Sequence, residues 1–232
     1  MITKISSENR YHSKHEWLST FHLFSFADYY DSTNMNFGVL RVFNDDTIDR
    51  KSGFPTHGHK NMEIITIILE GELTHKDTMG NTEVIKKGEV QYMSAGTGVM
   101  HSEFNNSKEK IHLYQIWLTP IKNNLSPKYT QKDFSNNIKS NSLTPVVSNS
   151  KLENSITIQA DATIYLGDFE AGKIITHQQK IGYGIFIYVT KGSVNINEVL
   201  FKQGDQARIV DENSITIISL EETKYIIIDT AL

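Results

Sequence analysis

The chain has 232 residues, enough for one large domain or two of ordinary size. Hydrophobic residues make up 38%, charged residues 22%, and the formal net charge is −4. That balance gives no electrostatic case for binding nucleic acid or an acidic membrane surface. The absence of cysteine excludes disulfides, thiolate zinc sites, iron–sulfur clusters and a cysteine nucleophile. Met1-Ile2-Thr3-Lys4-Ile5 leads into no long apolar segment, and no run of about 18 apolar residues occurs anywhere. Neither a secretory signal nor a membrane span is expected, and the cytoplasm is the expected location.

In chain order, Tyr11 to Tyr30 is rich in aromatic residues and also holds His12, His15 and His22. The aromatics read as side chains packing on a sheet, and His12 and His15 as solvated or hydrogen-bonded. Phe37 to Phe43 alternates as a strand does, and Asn44-Asp45-Asp46 carries turn chemistry. From Gly53 to Leu118 strand-like runs are short and punctuated: Glu63–Leu69, Gly71–Asp77, Thr82–Ile85, Gln91–Met93 and Ile111–Leu118. Gly80-Asn81 marks a hairpin and Lys87-Gly88 a further turn. Strands at this spacing point to a sandwich or barrel. Gly96 and Gly98 allow a sharp bend that aims the following strand inward.

Residues 119–150 turn polar, with Asn123-Asn124, Ser135-Asn136-Asn137 and Ser140-Asn141-Ser142. This tract reads as a connector between two domains, giving an N-terminal domain over 1–125, a connector over 126–150 and a C-terminal domain over 151–232. Strands resume after about residue 155 in the same rhythm. Val189-Thr190-Lys191-Gly192-Ser193-Val194 echoes Ile68-Leu69-Glu70-Gly71-Glu72-Leu73, and Phe201-Lys202-Gln203-Gly204-Asp205 echoes Ile85-Lys86-Lys87-Gly88-Glu89. The halves read as two copies of one all-β architecture.

The chemistry concentrates in copy one. His57-Gly58-His59 and His101-Ser102-Glu103 each place two ligand types at i and i+2. On a strand such residues point the same way, about 6–7 Å apart. A single histidine in a strand is ordinarily just hydrogen-bonded; two matched pairs flanking a hairpin-rich β segment point to one convergence. His57, His59, His101 and Glu103 would supply three imidazoles and a carboxylate, a donor set that suits Fe(II), Mn, Co, Ni, Cu and Zn. On an octahedral ion two positions would stay open for water, substrate or dioxygen. Glu63 shares the odd numbering of the ligands. It reads as a fifth ligand, a general base or, foremost, an acceptor that orients an imidazole. His75 reads as exposed near a turn, His112 as outside the site, and Gln91 and Met93 as pocket lining or sheet-face core. Copy two offers only His177-Gln178-Gln179 and Ile215-Thr216-Ile217 at the matching places, so one metal per chain is expected.

Three long motifs carry a resemblance: Phe54-Pro55-Thr56-His57-Gly58-His59-Lys60-Asn61-Met62-Glu63-Ile64, the run Leu69 to Asn81, and Met93-Ser94-Ala95-Gly96-Thr97-Gly98-Val99-Met100-His101-Ser102-Glu103. With Leu113-Tyr114-Gln115-Ile116-Trp117 they resemble the pirin family of the cupin superfamily, in its bacterial quercetinase-like branch. The resemblance implies a bicupin of two jelly-roll β-barrels packed face to face. It implies one divalent metal, usually iron, at His57, His59, His101 and Glu103. It also implies a dioxygenase that opens the central ring of a flavonol such as quercetin with O2, releasing carbon monoxide. In that reaction Glu103 or Glu63 would accept the flavonol hydroxyl proton. Other members imply a non-enzymatic alternative, a metal-binding regulator that contacts a transcription factor or metabolic enzyme. The expected partners are a small aromatic substrate and O2, with the chain a monomer. One departure stands out: Gly58 replaces the family's usual proline, which would leave the ligand loop less stiff.

Overall fold

The structure, a computed structural model, describes residues 1–150 and 152–232. It is all-β apart from a short 3-10 helix at Ser7–Asn9. The first half holds a seven-stranded sheet in the order Lys128–Asp133, Glu89–Ser94, Glu63–Glu70, Ile111–Leu118, Leu40–Ile48, Leu18–His22, Tyr11–Lys14. A four-stranded sheet faces it, in the order Gly53–His59, Val99–Phe104, Glu72–Asp77, Thr82–Lys86. The second half repeats both sheets, with seven strands from Ile2–Ile5 through Tyr183–Lys191 to Ile156–Thr157 and four from Ile174–Gln178 to Val199–Lys202. The duplication expected from the glycine echoes is present at the level of whole sheets.

The sheets of each half are not joined by ladders, so each half is an open two-sheet sandwich where closed barrels were expected. The reason is visible at the corners. The chain passes between sheets at Asn61 (φ 52) and Gly71 (φ 79), left-handed residues that end one ladder before the next begins.

The two seven-stranded sheets pack against each other, and that contact explains the continuous apolar runs. On Glu63–Glu70, Ile64 and Ile68 face the interior of their own half, whereas Ile65 and Ile67 join the core between the halves. On Tyr183–Lys191, Ile185, Ile187 and Val189 point inward and Phe186 and Tyr188 reach across. A strand buried on both faces needs no polar alternation. Phe186 meets Phe24 and Phe43 with ring centroids 6.0 and 5.5 Å apart. At the rim of this contact, Tyr188 Oη–H donates to Asp45 Oδ2 at 2.7 Å and His112 Nε2–H donates to Asp45 Oδ1 at 2.6 Å.

Two expectations change here. Asn44-Asp45-Asp46 is not a turn; it lies inside the strand Leu40–Ile48, because tertiary partners outweigh local turn chemistry. The polar tract around 119–150 contains two strands. Lys128–Asp133 pairs with Glu89–Ser94 of the first half, and Ser142–Ser148 pairs with Ala162–Phe169 of the second. Likewise Ile2–Ile5 pairs with Gln206–Ile209, so the start of the chain lends an edge strand to the second half. The composition shifts near 125 and 151 therefore do not coincide with where pairing changes hands. Edge strands are half-solvated, and their polar sequence resembles a linker.

Because Phe186 is fully buried between the halves, Phe186→Ala should cost about 3–5 kcal/mol. Chemical denaturation should show this as a lower midpoint, while the folded fraction keeps its metal content.

Candidate metal centre

Three strands of the four-stranded sheet build the centre. Val99–Phe104 runs between Gly53–His59 and Glu72–Asp77. His101 is directly opposite His57 on one side and Asp77 on the other. The pleat turns His57 and His59, and likewise His101 and Glu103, toward the interior. Between His101 and Glu103 the ladder slips by one residue, and Glu103 stands opposite Phe54. The extra residue lies on the Gly53–His59 strand at Pro55-Thr56, just ahead of His57, while the ladder to Glu72–Asp77 runs unbroken through His101 and Glu103. The bulge needs Gly53, since a Cβ there would sit 2.2 Å from the Glu103 carbonyl oxygen and 2.6 Å from Phe104 Cα.

His57, His59 and His101 converge so that one ring nitrogen of each lies within 4.8 Å of the others. The Nε2 atoms of His57 and His101 are 3.1 Å apart, close to what two neighbouring ligands about 2.1 Å from a shared ion require. His57 Nδ1–H donates to the Pro55 carbonyl at 2.8 Å. That bond orients the ring and leaves the Nε2 lone pair for an ion. Burial and the neighbouring imidazoles hold His59 down at about 4 and His101 at about 3, so both stay neutral donors at physiological pH.

Glu103 completes an overlapping group with His101 and His75. Its Oε2 accepts from Gln115 Nε2–H at 2.8 Å, whereas Oε1, though buried, has no partner. Burial raises its carboxyl to about 7. A buried carboxylate oxygen left unpaired beside the neutral His101 imidazole fits a cation, which would satisfy it. The donor set therefore fits a divalent transition metal.

His75 is fully buried, not exposed. It accepts from Gln91 Nε2–H through Nδ1 at 3.1 Å and donates through Nε2–H to Asp77 at 2.9 Å. With both nitrogens engaged it packs behind His101 as support. Its apparent exposure came from the Gly80-Asn81 hairpin, which places Asp77 over it rather than solvent.

Glu63 lies elsewhere. It sits on the opposite face of its strand, where Tyr92 Oη–H, Ser94 Oγ–H (2.7 Å) and the Gln159 backbone N–H (3.3 Å) donate to it. Odd numbering does not carry across the corner at Asn61, which rotates the strand and turns Glu63 into the contact between the halves. Gly58 is not loose either. Met100, opposite it in the ladder, fills its face, with Sδ 2.8 Å from where a Cβ would stand.

A cavity of about 540 Å³ opens beside the cluster, with His57, His59 and Glu103 on its wall. Trp17, Phe26, Phe54 and Trp117 supply its apolar surface, and Asn44, Asp46 and Gln115 line its sheet-side wall. Sequence reading assigned none of these seven to a site. The aromatics looked like core, and the alternation of Asn44 and Asp46 within a strand was the available signal. In the second half His177 stands opposite Ile215 and donates to Asp229 at 2.8 Å. Among the described residues, both ligand groups lie in the first half.

Residues 5–118 match the family model described as Pirin, and residues 145–230 match that of the quercetinase C-terminal cupin domain. The chain belongs to the pirin family. This pirin is 40% identical over 230 residues to the quercetin 2,3-dioxygenase of Escherichia coli K12, covering 99% of this chain and 98% of that one. It is 38% identical to a pirin-like protein of Caulobacter vibrioides over 94% of each chain. The crystal structure of the bacterial pirin YhhW from Escherichia coli in complex with nickel(II) superposes with a TM-score of 0.95. That match has 39% identity and covers 100% of this chain and 99% of that one. The expected bicupin fold is thereby established.

Two substitutions separate the roles. Glu63→Gln should lower stability by about 1–3 kcal/mol yet leave metal content, read by plasma mass spectrometry, unchanged. Gly53→Ala should reduce metal content along with stability, because its methyl group meets backbone at the bulge.

Proposed function

We propose that this pirin is a metal-dependent dioxygenase that opens the central ring of a flavonol with O2, with iron(II) as its working ion. The observation that carries the reading is the shared wall: the imidazole cluster and Glu103 face a cavity of about 540 Å³ walled by aromatic rings. That volume lies in the range that encloses a small aromatic molecule. The relative named quercetin 2,3-dioxygenase supports the same chemistry, and the nickel complex of YhhW supports a divalent ion at this donor set.

In this reading His57, His59, His101 and Glu103 hold the ion. When bound, the metal supplies Lewis-acid polarisation of the flavonol oxygens and access to O2. Trp17, Phe54 and Trp117 hold the flat rings and keep water from them. His57, fixed by the Pro55 carbonyl, sets the ligand orientation. Glu103 is the cavity-wall carboxylate beside the imidazole cluster, so it takes the 3-hydroxyl proton, and Gln115 steadies it through Oε2. Glu63 takes no part, since it faces the other half.

The test is anaerobic iron loading followed by quercetin in air. Loss of the flavonol absorbance with one carbon monoxide per flavonol is expected. Glu103→Gln should lower kcat by about 10²–10⁴. A fully metallated protein that leaves quercetin intact would reject the reading and favour a regulatory, non-enzymatic role for the ion.

A further inference from the structure

The inner face of the first seven-stranded sheet carries a polar row across an otherwise apolar interior. His22 stands opposite Asn44, Asn44 opposite Gln115, Gln115 opposite Thr66, and Thr66 opposite Gln91. All five are buried. His22 Nδ1–H donates to Asn44 Oδ1 at 2.8 Å, Gln115 serves Glu103, and Gln91 serves His75. Most of the row is thus committed to internal partners.

Asp46 differs. It follows Asn44 by two residues, so it shares the inner face, and it stands between Thr20 and Leu113 on the neighbouring strands. Asp46 and Thr20 are both about 98% buried, and both line the cavity shared with the metal ligands. Thr20 faces Asp46 across the ladder and is its one polar neighbour there, and neither Asp46 Oδ1 nor Thr20 Oγ1 finds a partner beyond the other. Asp46 is diagonal to Gln115, the residue that holds Glu103, so the two positions are about 7–8 Å apart across the sheet. Burial, opposed by the Thr20 hydroxyl and reinforced by Asp45 and Glu103, raises the Asp46 carboxyl to about 7. A buried carboxyl with a single hydroxyl beside it is left short of partners, and its place on a cavity wall is explained when a ligand provides another.

We propose that Asp46, with Thr20 beside it, recognises a ligand hydroxyl remote from the metal. The cavity then selects flat aromatic ligands that chelate at one end and carry a phenolic hydroxyl at the other. Asp46 is a specificity residue here, without a role in the ring opening. This assignment rests on the flavonol reading above.

Both tryptophans of the chain, Trp17 and Trp117, line the cavity, so intrinsic fluorescence reports occupancy directly. Iron-loaded protein is titrated without oxygen, where binding is seen without turnover. The two probes are quercetin and 3-hydroxyflavone, which keeps the chelating pair and lacks every other hydroxyl. Wild-type protein should bind quercetin more tightly. Asp46→Leu should shrink the ratio of the two Kd values about tenfold, the loss of one hydrogen bond. Asp46→Asn, which still offers a hydrogen bond, should keep the ratio within about threefold of wild type. Metal content should not change in either variant.

An unchanged ratio in folded Asp46→Leu overturns the assignment and leaves the flavonol reading standing. If that variant does not fold, Thr20→Val decides by the same ratio: a smaller ratio is expected, and an unchanged one overturns the assignment. Wild-type protein that is quenched by neither compound would remove the flavonol reading and the Asp46 assignment together.

Discussion

Everything at the centre depends on one ladder, the pairing of Gly53–His59 with Val99–Phe104, which sets His57 opposite His101. Cross-strand partners are held at a separation that a metal ion can bridge, and the pleat then carries His59 and Glu103 to the same side. The slip between His101 and Glu103 is part of the device. It places the extra residue on the partner strand at Pro55-Thr56 and leaves His101 and Glu103 in alternation, and glycine at position 53 is what lets the backbone come that close. His59 and His101 are held neutral by burial, and the carboxylate is short of one partner for the same reason. A cation answers both conditions.

The second half contributes by packing rather than by ligands. Its seven-stranded sheet covers the outer face of the sheet that floors the site, and Phe186 and Tyr188 fill the space between. Burial on both faces makes that floor rigid. Glu63 belongs to this contact. Tied by Tyr92, Ser94 and the Gln159 backbone, it joins the halves just behind the cavity. A carboxylate whose numbering suggested a place beside the ligands, foremost orienting an imidazole, is thus a structural pin.

The cavity adds the chemistry of selection to that of the metal. Aromatic rings and the polar Asn44, Asp46 and Gln115 share its lining, and Trp117 Nε1–H donates to Gln115 Oε1 at 3.2 Å from two residues along the same strand. Such a mixed lining orients a flat ligand through a few polar groups. Asn44 and Asp46, with Asp45 between them, come from a stretch whose composition argues for a turn. They are accommodated in a strand because each meets a partner from another strand or from the other half, or else faces the cavity.

The sequence alone determined the fold class, the internal duplication and the three imidazoles, because these depend on local spacing. Alternation, glycine turns and i, i+2 pairs survive as patterns whatever surrounds them. Tertiary structure alone decided which face each strand offers, and with it the fates of Glu63, His75 and Asp46. A corner residue such as Asn61 resets the pleat, and no count along the chain carries across it. The polar edge strands Lys128–Asp133 and Ile2–Ile5 were equally hidden, since a strand with one solvated side carries no apolar signature. Which half each completes is settled only by the partner whose ladder it joins.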